Sequence, residues 1–253
     1  MGKDRSLSAC AARMKSKNPR NTPPFTKFKP GQVRESVEKD LKDFGRTSID
    51  VYWLHMPNDI PQYMEELVEL YREGTIKNIG VSNFNLRECK LAKSILDQAG
   101  IPLFGVQNHY SLIDREWEKN GLLSWCKENG VQFWAWAVLE EGVLTGPKQN
   151  GEKFAIIKAI YSRKRRKLSR LFASMKEVGE SHDLTIPQVA MSFVANKGIV
   201  PICGCRKPYQ VEQLGIAANT KLSEAEMKQL EAVADELNVK VLGPDLFRFA
   251  VRK

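Results

Sequence analysis

Two adjacent polar side chains, Ser82 and Asn83, stand directly after the β-branched run Ile76, Ile79 and Val81. A hydroxyl and a primary amide at the end of a buried strand offer donors and acceptors to a polar ligand group. His55 follows a second apolar run, and Lys27 ends a third, shorter one. An imidazole in such a place can polarise a carbonyl. Arg206 can give a phosphate a charge-assisted pair of hydrogen bonds. Taken singly, each residue also has a plainer explanation: a surface charge for Lys27, a satisfied structural residue for His55, core packing for Trp136 within Phe133-Trp134-Ala135-Trp136. Cys203 and Cys205 read as packing residues. His109 and His182 have no partners at metal-ligand spacing and receive no role.

The elements that must hold these groups follow from pattern. Gly74 is a helix C-cap signal, and Asn85 with Glu88 is a capping box for the next helix. Ser82 and Asn83 therefore fall at the C-terminal end of a strand, where ligands bind in α/β folds. Strands are predicted at Phe25–Phe28, Ile49–His55, Ile76–Val81, Leu103–Asn108, Val131–Val138 and Ile199–Cys203. Helices are predicted over 3–16, over 31–45 with Val33, Val37, Leu41 and Phe44 on one face, over 61–73, and over Asn85–Gln98. Others follow over Asp114–Asn129, from near Pro187, over Pro208–Ala218, and from a final cap at Ser223 and Glu226. Strand and helix alternate, which argues a parallel α/β sheet. The six strands fall short of the roughly eight of a closed barrel.

The 253 residues suit one barrel-sized domain, and an apolar fraction of 42% is enough for a sizeable core. No apolar run is long enough to span a membrane. Five cysteines without framework or zinc spacing point to a reducing cytoplasm. The net charge of +9 fits a basic globular protein or attraction to an anion such as a dinucleotide phosphate. Nucleic-acid binding is disfavoured, because no interleaved aromatic-basic pattern is present.

The string Gly80-Val81-Ser82-Asn83-Phe84 resembles the cofactor-side signature of the aldo-keto reductases, and the resemblance covers nearly the whole chain. It implies a (β/α)8 barrel that binds NADP(H) and reduces a small aldehyde or ketone by direct hydride transfer without a metal. Thr26-Lys27-Phe28 resembles the strand bearing the catalytic lysine, and Leu54-His55-Met56-Pro57 the strand bearing the catalytic histidine. Ser82, Asn83 and Gln107 match the residues that hold the nicotinamide carboxamide. Trp136 stands where the family often stacks a tyrosine on the ring. Leu139, Gly142, Leu144 and Thr145 match the loop passing the pyrophosphate. Gly204, Arg206 and Gln210 match the segment around the 2′-phosphate and adenosine.

The chain departs from the family pattern in two places. Gln213-Leu214 replaces Glu-Asn at the adenine edge, which implies weaker cofactor binding. Met1 occupies the place of the catalytic tyrosine before Gly2-Lys3-Asp4. The expectation is a barrel without its first two strands, with neither the general-acid tyrosine nor the aspartate partner of Lys27, and with reduction impaired. Three functions follow: an NADP(H)-dependent oxidoreductase, a non-catalytic cofactor-binding or interaction subunit, or a fragment whose open barrel edges self-associate.

Overall fold

The computed structural model describes residues 29–146 and 167–238. Lys27, the strand expected at Phe25–Phe28 and the helix over 3–16 lie outside them. The described residues divide into two compact units: residues 29–107 with 121–132, and residues 108–120 with 133–146 and 167–238.

In the first unit, α1 (Gln32–Phe44), β1 (Tyr52–Leu54), α2 (Ile60–Arg72), β2 (Ile79–Ser82), α3 (Leu86–Gln98) and the start of β3 (Leu103–His109) alternate as expected. Strands β1 and β2 are parallel with Trp53 opposite Gly80, and β2 and β3 are parallel with Ser82 opposite Gln107. The run Ile76, Ile79 and Val81 is fully buried, together with Phe84, Cys89, Leu96 and Val106. Gly80 is required by packing: a Cβ there would lie 2.4 Å from the Trp53 ring. The capping box of α3 is formed, with Asn85 Oδ1 accepting from the Glu88 N–H at 3.0 Å and Glu88 Oε2 accepting from the Asn85 N–H at 2.7 Å.

Helix α1 keeps the expected face at Val33 and Val37, with Leu41 half-buried, and departs from it at its C-terminal end. It buries Val33, Val37 and Asp40, while Phe44 is exposed. Desolvation raises the pKa of the Asp40 carboxyl, a repulsion from Asp43 adds to it, and Lys39 opposes both. The single helix expected over Asp114–Asn129 is two, α4 (Glu116–Lys119) and α5 (Leu122–Glu128). Gly121 between them takes a left-handed φ of 82°, a conformation that stops the helical ladder and suits glycine.

The second unit carries β4 (Gln132–Trp136, from Phe133 on), a distorted 3₁₀ turn (Glu140–Thr145), α6 (Ser169–His182), α7 (Ile186–Asn196), β5 (Val200–Pro201), α8 (Pro208–Asn219) and α9 (Glu224–Leu237). Strands β4 and β5 are parallel, with Trp134 opposite Val200. β5 is shorter than the sequence suggests, and Pro201 within it has no N–H to give the ladder. Val138, Leu144, Leu171, Met175, Val189, Phe193 and Leu230 form its core. Ser192 Oγ donates to Ala217 O at 2.7 Å, tying α7 to α8. Ser223 and Glu226 close the predicted capping box of α9.

Candidate active site

In the first unit the ends of three strands are tied together by two side chains. Ser82, the last residue of β2, is buried, and its Oγ donates to Gln107 O on β3 at 2.8 Å. Asn83 follows in a left-handed conformation, φ 62°, which asparagine tolerates better than most residues. Its Nδ2 donates to His55 O, just after β1, at 3.0 Å and approaches Ser82 Oγ at 3.3 Å. His55, Ser82, Asn83 and Gln107 are thus brought to one place.

This geometry modifies the expectation that Ser82 and Asn83 present free donors. The serine hydrogen and one asparagine amide hydrogen are engaged by main-chain carbonyls. Their first effect is to fix the strand ends. The half-buried Gln107 side-chain amide makes no hydrogen bond to another described residue, and it can offer a donor and an acceptor to a planar polar group. The His55 ring is reached by water yet surrounded by enough protein for desolvation to lower its pKa. It is accordingly a neutral imidazole at neutral pH, able to give one N–H to a carbonyl oxygen.

In the second unit Trp136 ends β4, half-buried. Leu139 is half-buried, whereas Leu144 is fully buried and packs in the core. Gly142 sits in the 3₁₀ turn with φ 95°, after Glu140 at 48° and Glu141 at 52°. Gly204 and Arg206 are exposed. Gln210 is already engaged, because its Oε1 accepts from the N–H groups of Arg206 and Lys207 at 2.7 and 3.0 Å and so caps α8. Gln213 and Leu214, on α8, are half-buried.

A buried charged cluster lies beside Trp136 that the sequence pattern does not announce. His109 is buried, with Nδ1 2.8 Å from Asp114 Oδ2 and Nε2 3.3 Å from Glu140 Oε2. Its ring packs edge-on against Trp136, centroids 4.7 Å apart. Burial alone would lower its pKa. The hydrogen bonds and charges of Asp114 and Glu140 outweigh that and raise it to about 9. No short-range spacing announces this group, since Glu140 reaches His109 only through the tertiary fold. The one available sign was the pair of glutamates after a strand otherwise apolar.

Among the described residues no group of three or more histidine, cysteine or acidic side chains is placed to hold a metal, and no helix is long and apolar enough to cross a membrane.

Residues 12–235 match the model of the Aldo/keto reductase family. The chain belongs to that family. Its parallel α/β fold is that of the aldo-keto reductase (β/α)8 barrel, of which five strands are described. This aldo-keto reductase chain is similar to the chloroplastic pyridoxal reductase of Arabidopsis thaliana, 30% identical over 67% of this chain and 47% of the relative. It is similar to the NADH-specific methylglyoxal reductase of Escherichia coli, 25% identical over 84% of this chain and 67% of the relative. Among solved structures it resembles a thermostable aldo-keto reductase in complex with the inhibitor epalrestat, with a TM-score of 0.65, 26% identity, and coverage of 79% of this chain and 65% of the other. The chain thus spans from 47% to 67% of the length of these relatives.

Proposed function

We propose that this chain binds a nicotinamide dinucleotide, NADP(H) in the first place, and directs reduction of a small aldehyde or ketone. The observation that carries the reading is the convergence of His55, Ser82, Asn83 and Gln107 at tied strand ends. The first unit's residues fit such a group, since the Gln107 amide can meet a carboxamide. For the phosphates the family resemblance points to Gly142 and to Arg206, an exposed cation able to pair with phosphate. The family resemblance assigns Trp136 to the ring and Leu139, Leu144, Gly204 and Gln210 to the dinucleotide. Of these, Leu144 contributes through its backbone alone, its side chain being buried, and Gln210 through the α8 cap it forms. The relatives named for pyridoxal and methylglyoxal support a carbonyl substrate.

When bound, the reduced nicotinamide supplies a hydride. The protein's part is to orient and to manage charge. Ser82 and Asn83 fix the strand ends, Gln107 orients the ring through its amide, and His55 donates an N–H toward the carbonyl oxygen where negative charge grows. Water, which reaches this exposed ring, gives the proton that completes the alcohol. Lys27, the ammonium that the family resemblance assigns to this chemistry, would add positive charge there. Among the described residues the thiols of Cys89, Cys126, Cys203 and Cys205 are free, which supports a reducing setting such as the cytoplasm.

The test is loss of reduced-nicotinamide absorbance with a simple aldehyde, run in parallel with cofactor titration. Binding with slow turnover that falls further in His55→Ala supports the reading. Binding without any turnover supports a non-catalytic role for the same site. No binding of NADPH or NADH by folded protein refutes both.

A further inference from the structure

We propose that His109, held as an imidazolium between Asp114 and Glu140, is a positioning residue that fixes the Trp136 ring and the turn from Ala137 to Gly142, and so sets how tightly the chain holds a nicotinamide dinucleotide. The proposal rests on the reading that Trp136 and this turn face the cofactor.

The geometry leaves little choice of protonation state. Both ring nitrogens of His109 face carboxylate oxygens, Asp114 Oδ2 on one side and Glu140 Oε2 on the other. Ionised carboxylates only accept hydrogen bonds, so a neutral imidazole would set a lone pair against one of them. The imidazolium turns a positive ring edge to both, as an ion pair: the Nδ1–Asp114 contact is close, at 2.8 Å, but outside hydrogen-bond geometry. Glu140 is itself buried, and its Oε1 accepts from Ser111 Oγ, so its two oxygens are held by two different side chains.

The held carboxylate sits where the backbone is strained. Ala137, Glu140 and Glu141 have positive φ of 59°, 48° and 52°, and Gly142 follows at 95°. Non-glycine residues occupy this region only when surrounding contacts over-determine it. The Glu140 side chain supplies that constraint. The same imidazole lies edge-on to Trp136, and the Trp136 carbonyl accepts from the Tyr110 N–H at 3.2 Å. One charged ring thus joins the end of β3, the end of β4 and the turn that follows.

The other charged groups on these elements are turned to other partners. Arg115 pairs with Asp235, Glu118 takes the Tyr110 hydroxyl and Lys197, Lys119 pairs with Asp235, and Glu141 is exposed. Loss of the His109 proton therefore releases Glu140 without a substitute cation close by among the described residues. The titration of this group near pH 9 lies above that of a nucleotide 2′-phosphate, near 6, and below that of lysine, so the three can be separated.

The experiment compares wild type, His109→Gln, Glu140→Gln and Trp136→Phe between about pH 7.5 and 10. In cofactor-free protein the fluorescence lost in Trp136→Phe should show one transition near pH 9, absent in His109→Gln and shifted to lower pH in Glu140→Gln, where Asp114 alone remains to hold the charge. NADPH binding should weaken roughly tenfold across the same transition in wild type. In His109→Gln it should be weaker by roughly that factor at the lower pH and flat with pH, a size of effect typical of groups that orient a ligand's holders. Should His109→Gln fail to fold, the shift in Glu140→Gln carries the test. Equal affinity and an equal pH profile in wild type and His109→Gln, or a transition unmoved by Glu140→Gln, overturns the role of His109. Absence of NADPH and NADH binding at every pH, from folded protein, overturns instead the site reading beneath it.

Discussion

Asn83 makes two contributions that substitution can separate. Its Nδ2 ties β2 to the His55 carbonyl at 3.0 Å, and its backbone holds φ 62°. Asn83→Gly removes the hydrogen bond but keeps a residue at ease in the left-handed region. The expected cost is about 1 kcal/mol, the net worth of one hydrogen bond whose acceptor water can partly reach. Asn83→Ala loses the same bond and adds left-handed strain of about 1 kcal/mol, for about 2 kcal/mol in all. The alanine variant should therefore be less stable than the glycine variant by about 1 kcal/mol, the reverse of their order in a helix. Urea unfolding followed by tryptophan fluorescence measures both. If alanine costs no more than glycine, the left-handed backbone is not a constraint at this strand end. If both are neutral, the tie to His55 does not exist in solution, and the description of the site fails with it.

Gly80→Ala should destabilise by about 1–3 kcal/mol, the usual cost of overpacking, because its Cβ would fall 2.4 Å from the Trp53 ring; thermal unfolding reads this directly. His109 makes stability depend on pH. Its folded pKa is raised from 6.5 to about 9, so its contribution is complete below about pH 6.5 and is lost as pH rises through about 9, a loss on the order of 3 kcal/mol. Urea midpoints measured from pH 6 to 10 should fall in wild type and run flatter in His109→Gln. Ser223→Ala should cost about 1 kcal/mol through loss of the α9 cap, again by urea unfolding. In protein shown to bind cofactor, His55→Ala should slow aldehyde reduction by about 10²-fold while leaving the cofactor dissociation constant unchanged, which steady-state kinetics and titration separate.

The elements were legible where local chemistry determines them. The apolar run ending at Val81 and the Asn85–Glu88 box fixed β2 and α3, because burial and capping are properties of neighbouring residues. The family strings then placed His55, Ser82, Asn83 and Gln107. Where tertiary packing decides, the sequence misled. Leu41 and Phe44 continue an apolar stripe on α1, yet the fold turns Asp40 inward and leaves Phe44 exposed. The apolar periodicity over Asp114–Asn129 conceals the break at Gly121, which glycine permits without announcing. His109 was passed over because its partners are a carboxylate in the loop after β3 and another beyond β4, and only the fold brings them to its two nitrogens. Ser82 and Asn83 were placed at the right point in the chain. What no spacing rule reveals is that their donors are engaged by neighbouring strands.

The central claim is that the strand ends bearing His55, Ser82, Asn83 and Gln107 hold a nicotinamide dinucleotide. Titration of the folded protein with NADPH, followed by tryptophan fluorescence, tests it most directly, with Gln107→Ala and an exposed control, Lys228→Ala, alongside. The account predicts saturable quenching at or below about 1 mM, weakened about tenfold in Gln107→Ala and unchanged in Lys228→Ala. No saturable binding, or binding to which Gln107→Ala is indifferent, would contradict it.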